Sequence, residues 1–231
     1  MQESLAAKTI AGLHPLEVRY HCAFNKTDLG DVDSEKADEA LKIFRRVCLL
    51  VSQLKGQFLT IHVGLGLDST HNLSWNRTIE RLAELVRFAN NLGVRLCLEN
   101  LAWGWTSRPE LFEKLIRKSG CWATLDIGHG RVSPSVRSQQ YALQDFATPH
   151  AERFYNAHIY HEEKGGAHLP PLAVEDLQER LCLLQRLPSC EWWVLELREK
   201  RALLDTLRIV RQFLNLENPP HHDSSFPHRL P

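Results

Sequence analysis

Six short apolar runs in this chain each end in a side chain that can bind a divalent cation. They are Arg19-Tyr20-His21, Phe58-Leu59-Thr60-Ile61-His62, Arg95-Leu96-Cys97-Leu98-Glu99, Trp122-Ala123-Thr124-Leu125-Asp126, Tyr155-Asn156-Ala157-His158 and Trp192-Trp193-Val194-Leu195-Glu196. Each run has the length and the β-branched or aromatic content of a buried strand. Parallel strands present their C-terminal ends at one face, so three imidazoles and three carboxylates are expected to converge there as a metal site. Three gathered carboxylates with no counter-charge would repel and raise one another's pKa values, at a cost on the order of several kcal/mol. A cation removes that cost. Taken alone, His21 would be no more than an ordinary polar residue at a strand end; the set carries the reading. His161 reads as a spare histidine at the rim. His71, His150 and the tail residues His221, His222 and His228 read as solvated.

The elements that must position these donors follow from hydrophobic spacing. Residues 3–13 look helical, and a strand then ends at His21. A helix is expected over about 34–54, carrying Ala40, Leu41, Phe44, Val47, Cys48 and Val51 at helical spacing. The strand to His62 is followed by a helix over roughly 75–91, with Gly93 suited to its stop. After the strand to Glu99, Ser107 and Glu110 read as a capping box for a helix that ends at Gly120. The strand to Asp126 leads to a partly helical segment over 136–152. Helices over 173–187 and 199–214 follow the strands to His158 and Glu196. The domain is expected to span 1–217. The Pro-, His- and Ser-rich residues 218–231 read as a disordered tail.

Strands alternating with helices at this spacing imply right-handed βαβ units and a parallel α/β sheet. An open doubly wound sheet would carry its chemistry at one switch point, usually with a Gly-rich phosphate loop, and no G-x-G-x-x-G opens a helix here. Donors at the ends of all six strands fit a ring, so the expected fold is a (β/α) barrel of the TIM type. Such a barrel normally has eight strands. The chain therefore looks as if the first two βα units are missing. A start further upstream, a homo-oligomeric partner covering the open strand edges, or a misread N-terminal segment would each account for this.

The chain has 231 residues, with 28 Lys and Arg against 28 Asp and Glu, so its formal net charge is zero. That balance gives no global pull toward nucleic acid. No apolar stretch approaches the length of a membrane span, and the start has no basic-then-apolar leader pattern. The six cysteines include no C-x-x-C pair and mostly lie in apolar runs. They read as reduced, buried thiols of a cytoplasmic protein.

The order and spacing of Leu98-Glu99-Asn100, Leu125-Asp126-Ile127-Gly128-His129, Ala157-His158-Ile159 and Leu195-Glu196 resembles the xylose isomerase-like barrel superfamily over roughly residues 15–212. That group holds sugar phosphate isomerases and epimerases together with endonuclease IV. The resemblance implies a metal set of Glu99, Asp126, His158 and Glu196, with His21 and His62 as further candidates. In the isomerase and epimerase branch, Glu99 and Glu196 would also be the catalytic pair, moving a proton to and from the carbon next to a carbonyl. Matching to the endonuclease branch puts His21 and His62 on first-metal ligands and His129 and His168 on third-metal ligands. The Asp that this branch places just before His168 is Ala167 here, so His129 and His168 are better assigned to substrate binding. Carboxylate and imidazole ligands suit manganese, cobalt, zinc or magnesium.

The loops after the strands add candidates for substrate contact. Trp103 and Trp105 could stack on a sugar face or pack against the next loop. Arg198 could bind a phosphate or pair with a surface acid. The expected function is a metal-dependent isomerase or epimerase of a small sugar, sugar phosphate or related hydroxy-carbonyl compound. A metal-dependent phosphodiesterase and a catalytically inactive barrel relic are the alternatives.

Overall fold

The computed structural model describes residues 8–13, 15–23, 28–65 and 69–215. Six parallel strands form one curved sheet in the order in which they occur along the chain. They are β1 (Tyr20–Cys22), β2 (Phe58–Ile61), β3 (Arg95–Glu99), β4 (Trp122–Asp126), β5 (Phe154–Ile159) and β8 (Trp192–Leu195). The remaining two strands, β6 (Glu162–Lys164) and β7 (Ala167–Leu169), form an antiparallel hairpin after β5 that the sequence pattern did not announce. Among the described residues, besides the helical residues 8–11, the helices are α1 (Ser34–Gln53), α2 (Trp75–Asn91), α3 (Pro109–Ser119), α4 (Ile127–Val132), α5 (Pro134–Arg137), α6 (Gln178–Gln185) and α7 (Lys200–Phe213). The result is the anticipated incomplete barrel, an arc whose outer strands are β1 and β8.

The helices form where apolar side chains repeat at helical spacing. In α1, Ala37, Ala40, Leu41, Phe44, Cys48 and Val51 are buried, and Asp33 caps its first turn by accepting from the Glu35 amide. In α2, Leu82, Leu85, Val86 and Ala89 are buried, and Ser74 caps the start. These faces close over the outer side of the sheet, and the shared core continues through Phe112, Leu115, Phe146, Phe154, Leu181 and Leu184.

Two local expectations give way. The capping box at Ser107 and Glu110 does not form. Pro109 opens α3, Arg108 is the residue before it, the Ser107 hydroxyl donates to the Gly104 carbonyl, and Glu110 pairs with Arg108 instead. The helix expected over 173–187 is a 3-10 turn followed by the shorter α6, whereas the segment over 136–152 is partly helical as expected, with the end of the four-residue α5 and two 3-10 turns. Four of the six cysteines are buried, and none is in a disulfide. Residues 8–11 are helical; residues 1–7 and the tail expected to be disordered lie outside the described residues. No helix among the described residues is long and apolar enough to cross a membrane.

Strand side chains alternate, so residues two apart share a face. Thr60, Thr124 and Asn156 meet inside the arc: Thr60 Oγ1 lies 2.9 Å from Thr124 Oγ1, to which the Asn156 amide donates at 3.2 Å. Two residues further along the same strands stand His62, Asp126 and His158. Arg19 enters this lower layer from the opposite edge, beside Phe58 at 4.0 Å and Trp192 at 4.7 Å, and donates to the Tyr155 carbonyl and the Asn156 side chain. Its partner two positions on is His21. The upper layer of the arc is thus the predicted ring of donors, supported by a polar layer beneath it.

Candidate metal centre

Glu99 is the hub. It is fully buried, and its two carboxylate oxygens face different partners. Oε2 lies 2.9 Å from His62 Nε2 and 3.1 Å from His21 Nε2, and these two nitrogens are 3.0 Å apart. Oε1 lies 2.9 Å from His158 Nδ1. That nitrogen is also 3.4 Å from Glu196 Oε2 and 3.8 Å from Asp126 Oδ2. Glu196 closes the ring through its other oxygen, 3.6 Å from His21 Nδ1. All six predicted donors therefore come together. They fall into three overlapping groups: His21, His62 and Glu99; Glu99, Asp126, His158 and Glu196, which shares Glu99 with the first; and His21, His158 and Glu196, which bridges the two.

The chemistry of this donor set fits divalent metal. Asp126 Oδ2 is buried without a hydrogen-bond partner. Burial, with the Glu99 charge adding to it, pushes the Asp126 carboxyl up to about 7. Two imidazole nitrogens that face each other at hydrogen-bond distance, both aimed at one carboxylate oxygen, can all serve a cation between them. Protons otherwise do this work. Burial pulls the His21 imidazole down, but Glu196 and Glu99 outweigh it and hold its pKa at about 10. Burial would likewise raise Glu99, yet the histidines around it hold it well below the usual carboxylate range.

The supports of these donors were not read from the sequence. Asn100 pins the end of β4: its amide donates to the Asp126 carbonyl and its oxygen accepts from the Asp126 amide, both at 2.8 Å. Buried Arg180 donates to the carbonyls of Ile127 and His161, one residue past the end of β4 and two past the end of β5. His161 Nδ1 lies 3.3 Å from this guanidinium, and His161 is in none of the donor groups. Tyr160 is fully buried and stacks on His168 at 3.8 Å and 2°. Of these, Asn100 had a signal, since it stands directly beside Glu99.

Around the donors lies a cavity of about 510 Å³. His129, His168, Trp103 and Arg198 line it, as does Glu163 from the hairpin. His129 Nε2 is 3.0 Å from Glu163 Oε2, and its Nδ1 is 3.2 Å from Asp126 Oδ2. Burial opposes the charge on His129, but Asp126, Glu163 and Glu99 hold its pKa up at about 11. His168 donates from Nδ1 to the Glu196 carbonyl at 2.8 Å. The two indoles part company: Trp103 is exposed on the cavity wall, whereas Trp105 packs edge-on against Trp75.

The family model described as a xylose isomerase-like TIM barrel matches residues 3–169. The chain is 29% identical over 168 residues to the uncharacterized protein MJ0008 of Methanocaldococcus jannaschii, a match covering 72% of this chain and 71% of that one. Its fold is similar to that of a D-tagatose 3-epimerase-like protein, with a TM-score of 0.73 at 15% identity over 93% of this chain and 82% of the other. It is similar also to endonuclease IV from Thermus thermophilus, with a TM-score of 0.64 at 19% identity over 93% and 81%. At those identities the likeness concerns the fold alone.

Proposed function

The chain belongs to the xylose isomerase-like TIM barrel family, and on that premise we propose that it is a metal-dependent hydrolase of a small phosphate ester, built around two cations that share Glu99. The observation that carries this reading is the convergence of His21 Nε2 and His62 Nε2 on Glu99 Oε2, while Glu99 Oε1 faces the second group. A one-metal isomerase has no use for the first pair. An isomerase that works with Glu99 and Glu196 as a pair also needs Glu99 to reach a substrate carbon, and Glu99 is 0% exposed with both oxygens engaged. Cations bound by these residues would make water acidic enough to attack near neutral pH and would offset charge on a phosphoryl group.

The rest falls to the chain. Glu196 is 29% exposed, and its carboxyl is held below the usual range because His21 and His158 outweigh burial. It is therefore ionised and placed to accept the proton of an attacking water. His129 presents a protonated Nε2 to the cavity, where a phosphoryl oxygen would take the place of Glu163. Arg198 at the wall suits a second oxygen. A cavity of about 510 Å³ suits a sugar phosphate rather than a polymer, and zero net charge gives nucleic acid no general attraction.

The exposed Glu196 and the likeness to a sugar epimerase favour a second reading, an isomerase or epimerase in which Glu196 moves the proton at carbon. The metal content of protein purified without added metal, measured beside turnover of a chromogenic phosphodiester and of small sugar phosphates, decides between them. Two cations per chain with phosphate-ester cleavage are expected. One cation, with exchange of solvent deuterium into a ketose phosphate that stops in Glu196→Gln, would replace the hydrolase by the isomerase.

A further inference from the structure

The segment between β1 and α1 carries a buried acid that the chemistry above does not use. Asp28 is 9% exposed. Its Oδ2 accepts from the Gly64 amide at 2.8 Å and the Leu65 amide at 3.1 Å, and its Oδ1 accepts from the Gly30 amide at 3.0 Å. Gly64 and Leu65 belong to the loop that begins with His62. We propose that Asp28 is a positioning residue, tying the loop after β2 to the loop after β1 and so setting His62 against His21 and Glu99.

The platform from which Asp28 reaches is fixed. The Gly30 carbonyl accepts from the Ser74 amide at 2.7 Å, and the Val32 amide donates to Asn72 at 2.9 Å. Gly30 sits so close to α2 that a Cβ there would stand 1.7 Å from Thr78 Oγ1. The loop it holds is not fixed by the sheet, because β2 ends at Ile61. Val63 and Leu65 are buried, but apolar burial is non-directional. Gly64 has φ +80°, a conformation that restricts nothing on its own in glycine. Direction comes from hydrogen bonds: Trp105 donates to the Gly64 carbonyl at 2.9 Å, and Asp28 takes the two amides. Losing the carboxylate would orphan two amides at the residues that aim His62.

The proposal rests on the two-cation reading only for its metal readout, so the test has a metal-free arm. In the metal-free protein, the ring protons of His21 and His62 should show a nuclear Overhauser contact. The Gly64 and Leu65 amides should exchange with solvent as slowly as strand amides, although they lie outside any strand. In Asp28→Asn the ring contact should vanish, and these two amides should exchange roughly 10²-fold faster while Leu98 and Leu125 hold their rates. On titration with zinc, Asp28→Asn should weaken one of two cations by about 10–100-fold, the size expected for lost support of a ligand, and leave the other within a few-fold. Fast exchange of Gly64 and Leu65 in the unsubstituted protein would overturn the role of Asp28 even if the variant failed to fold. So would a ring contact that survives substitution, or equal weakening of both cations. A single cation in the unsubstituted protein would overturn the two-cation reading, and the metal-free arm would still decide on Asp28.

Discussion

The two halves of the candidate centre are held in place by different physics. Asp126 and His158 stand on β4 and β5, each flanked by a strand on both sides, and pair with each other in the sheet's register. Their side chains are 0% and 5% exposed. The ladder of backbone hydrogen bonds fixes where they point, and Asn100 and Arg180 pin the same backbone just beyond. His21 lies on β1, three residues long and on one edge of the arc, and His62 follows the four residues of β2. Their side chains are 28% and 13% exposed. Here side chains do the holding: Asp28 ties the loop beyond His62, and Arg19 reaches across the opening beneath His21. The sheet therefore sets Glu99, Asp126 and His158, while a few directed contacts set His21 and His62; Glu196, one residue past the edge strand β8, joins the four-donor group from the other edge.

Removing one histidine from each half is the strongest way to break that contrast. His158→Ala takes away a buried ring that touches Glu99, Glu196 and Asp126 at once and leaves their charges facing one another. Breaking a buried pair costs about 3–5 kcal/mol, so the melting temperature of the metal-free protein should fall by about 10 °C. The four-donor group should lose its cation. His62→Ala should leave melting within about 2–3 °C, because the ring is partly exposed and follows its strand. It should remove only the other cation. Calorimetric melting beside metal analysis checks both. Equal losses of stability would mean that the sheet does not distinguish the two halves.

The interior half was also the more legible in the sequence. Alternation along a buried strand fixes which residue faces inward, so Leu98-Glu99, Leu125-Asp126 and Ala157-His158 gave both the strand and the direction of its last side chain. The same rule found His21 and His62 as donors, but it says nothing of what orients a residue past the strand end. Asp28 has no pattern of its own, and its partners are backbone amides 36 and 37 residues away. The hairpin β6–β7 stayed hidden because three-residue strands give too few alternations to count, and Glu163 stayed hidden with it. The capping box failed for a local reason, since Pro109 suits the first helical turn and moved the start past Ser107.

Protonation gives a second, smaller contrast. In the metal-free protein, His21 is raised from 6.5 to about 10 and His129 to about 11. Both bind protons more tightly folded than unfolded. Their contribution to stability is complete below about 6.5 and is lost as pH rises through the folded values. Asp126, raised from 3.8 to about 7, acts with the same sign at lower pH. Glu99 and Glu196 are shifted down, so their contribution is lost only as pH falls below the ordinary carboxylate value of 4.5. The metal-free melting temperature should therefore drop by about 5 °C or more between pH 6.5 and pH 10. Zinc should reverse the slope, because a cation competes with those protons. A metal-free protein that melts at the same temperature across this window would show that the histidine shifts are not felt by the fold.

The smallest effect separates the two indoles and returns to the contrast at its weak point. Trp103 is 43% exposed on the cavity wall. Trp105 packs on Trp75, and its ring stands against Gly64, where an added Cβ would lie 3.3 Å from Trp105 Cε3, so the ring steadies the loop that aims His62 beside the backbone bond from its amide to the Gly64 carbonyl. Trp103→Ala should leave both cations in place and raise KM by about 2–10-fold, the size of one aromatic contact with a substrate face. Trp105→Ala should change KM through a different route, by weakening the cation held by His21 and His62 and sparing the other. Zinc titration of the two variants beside their KM values tests this. If Trp103→Ala weakened a cation and Trp105→Ala did not, the edge half would be held from the cavity side and not from the loop behind it.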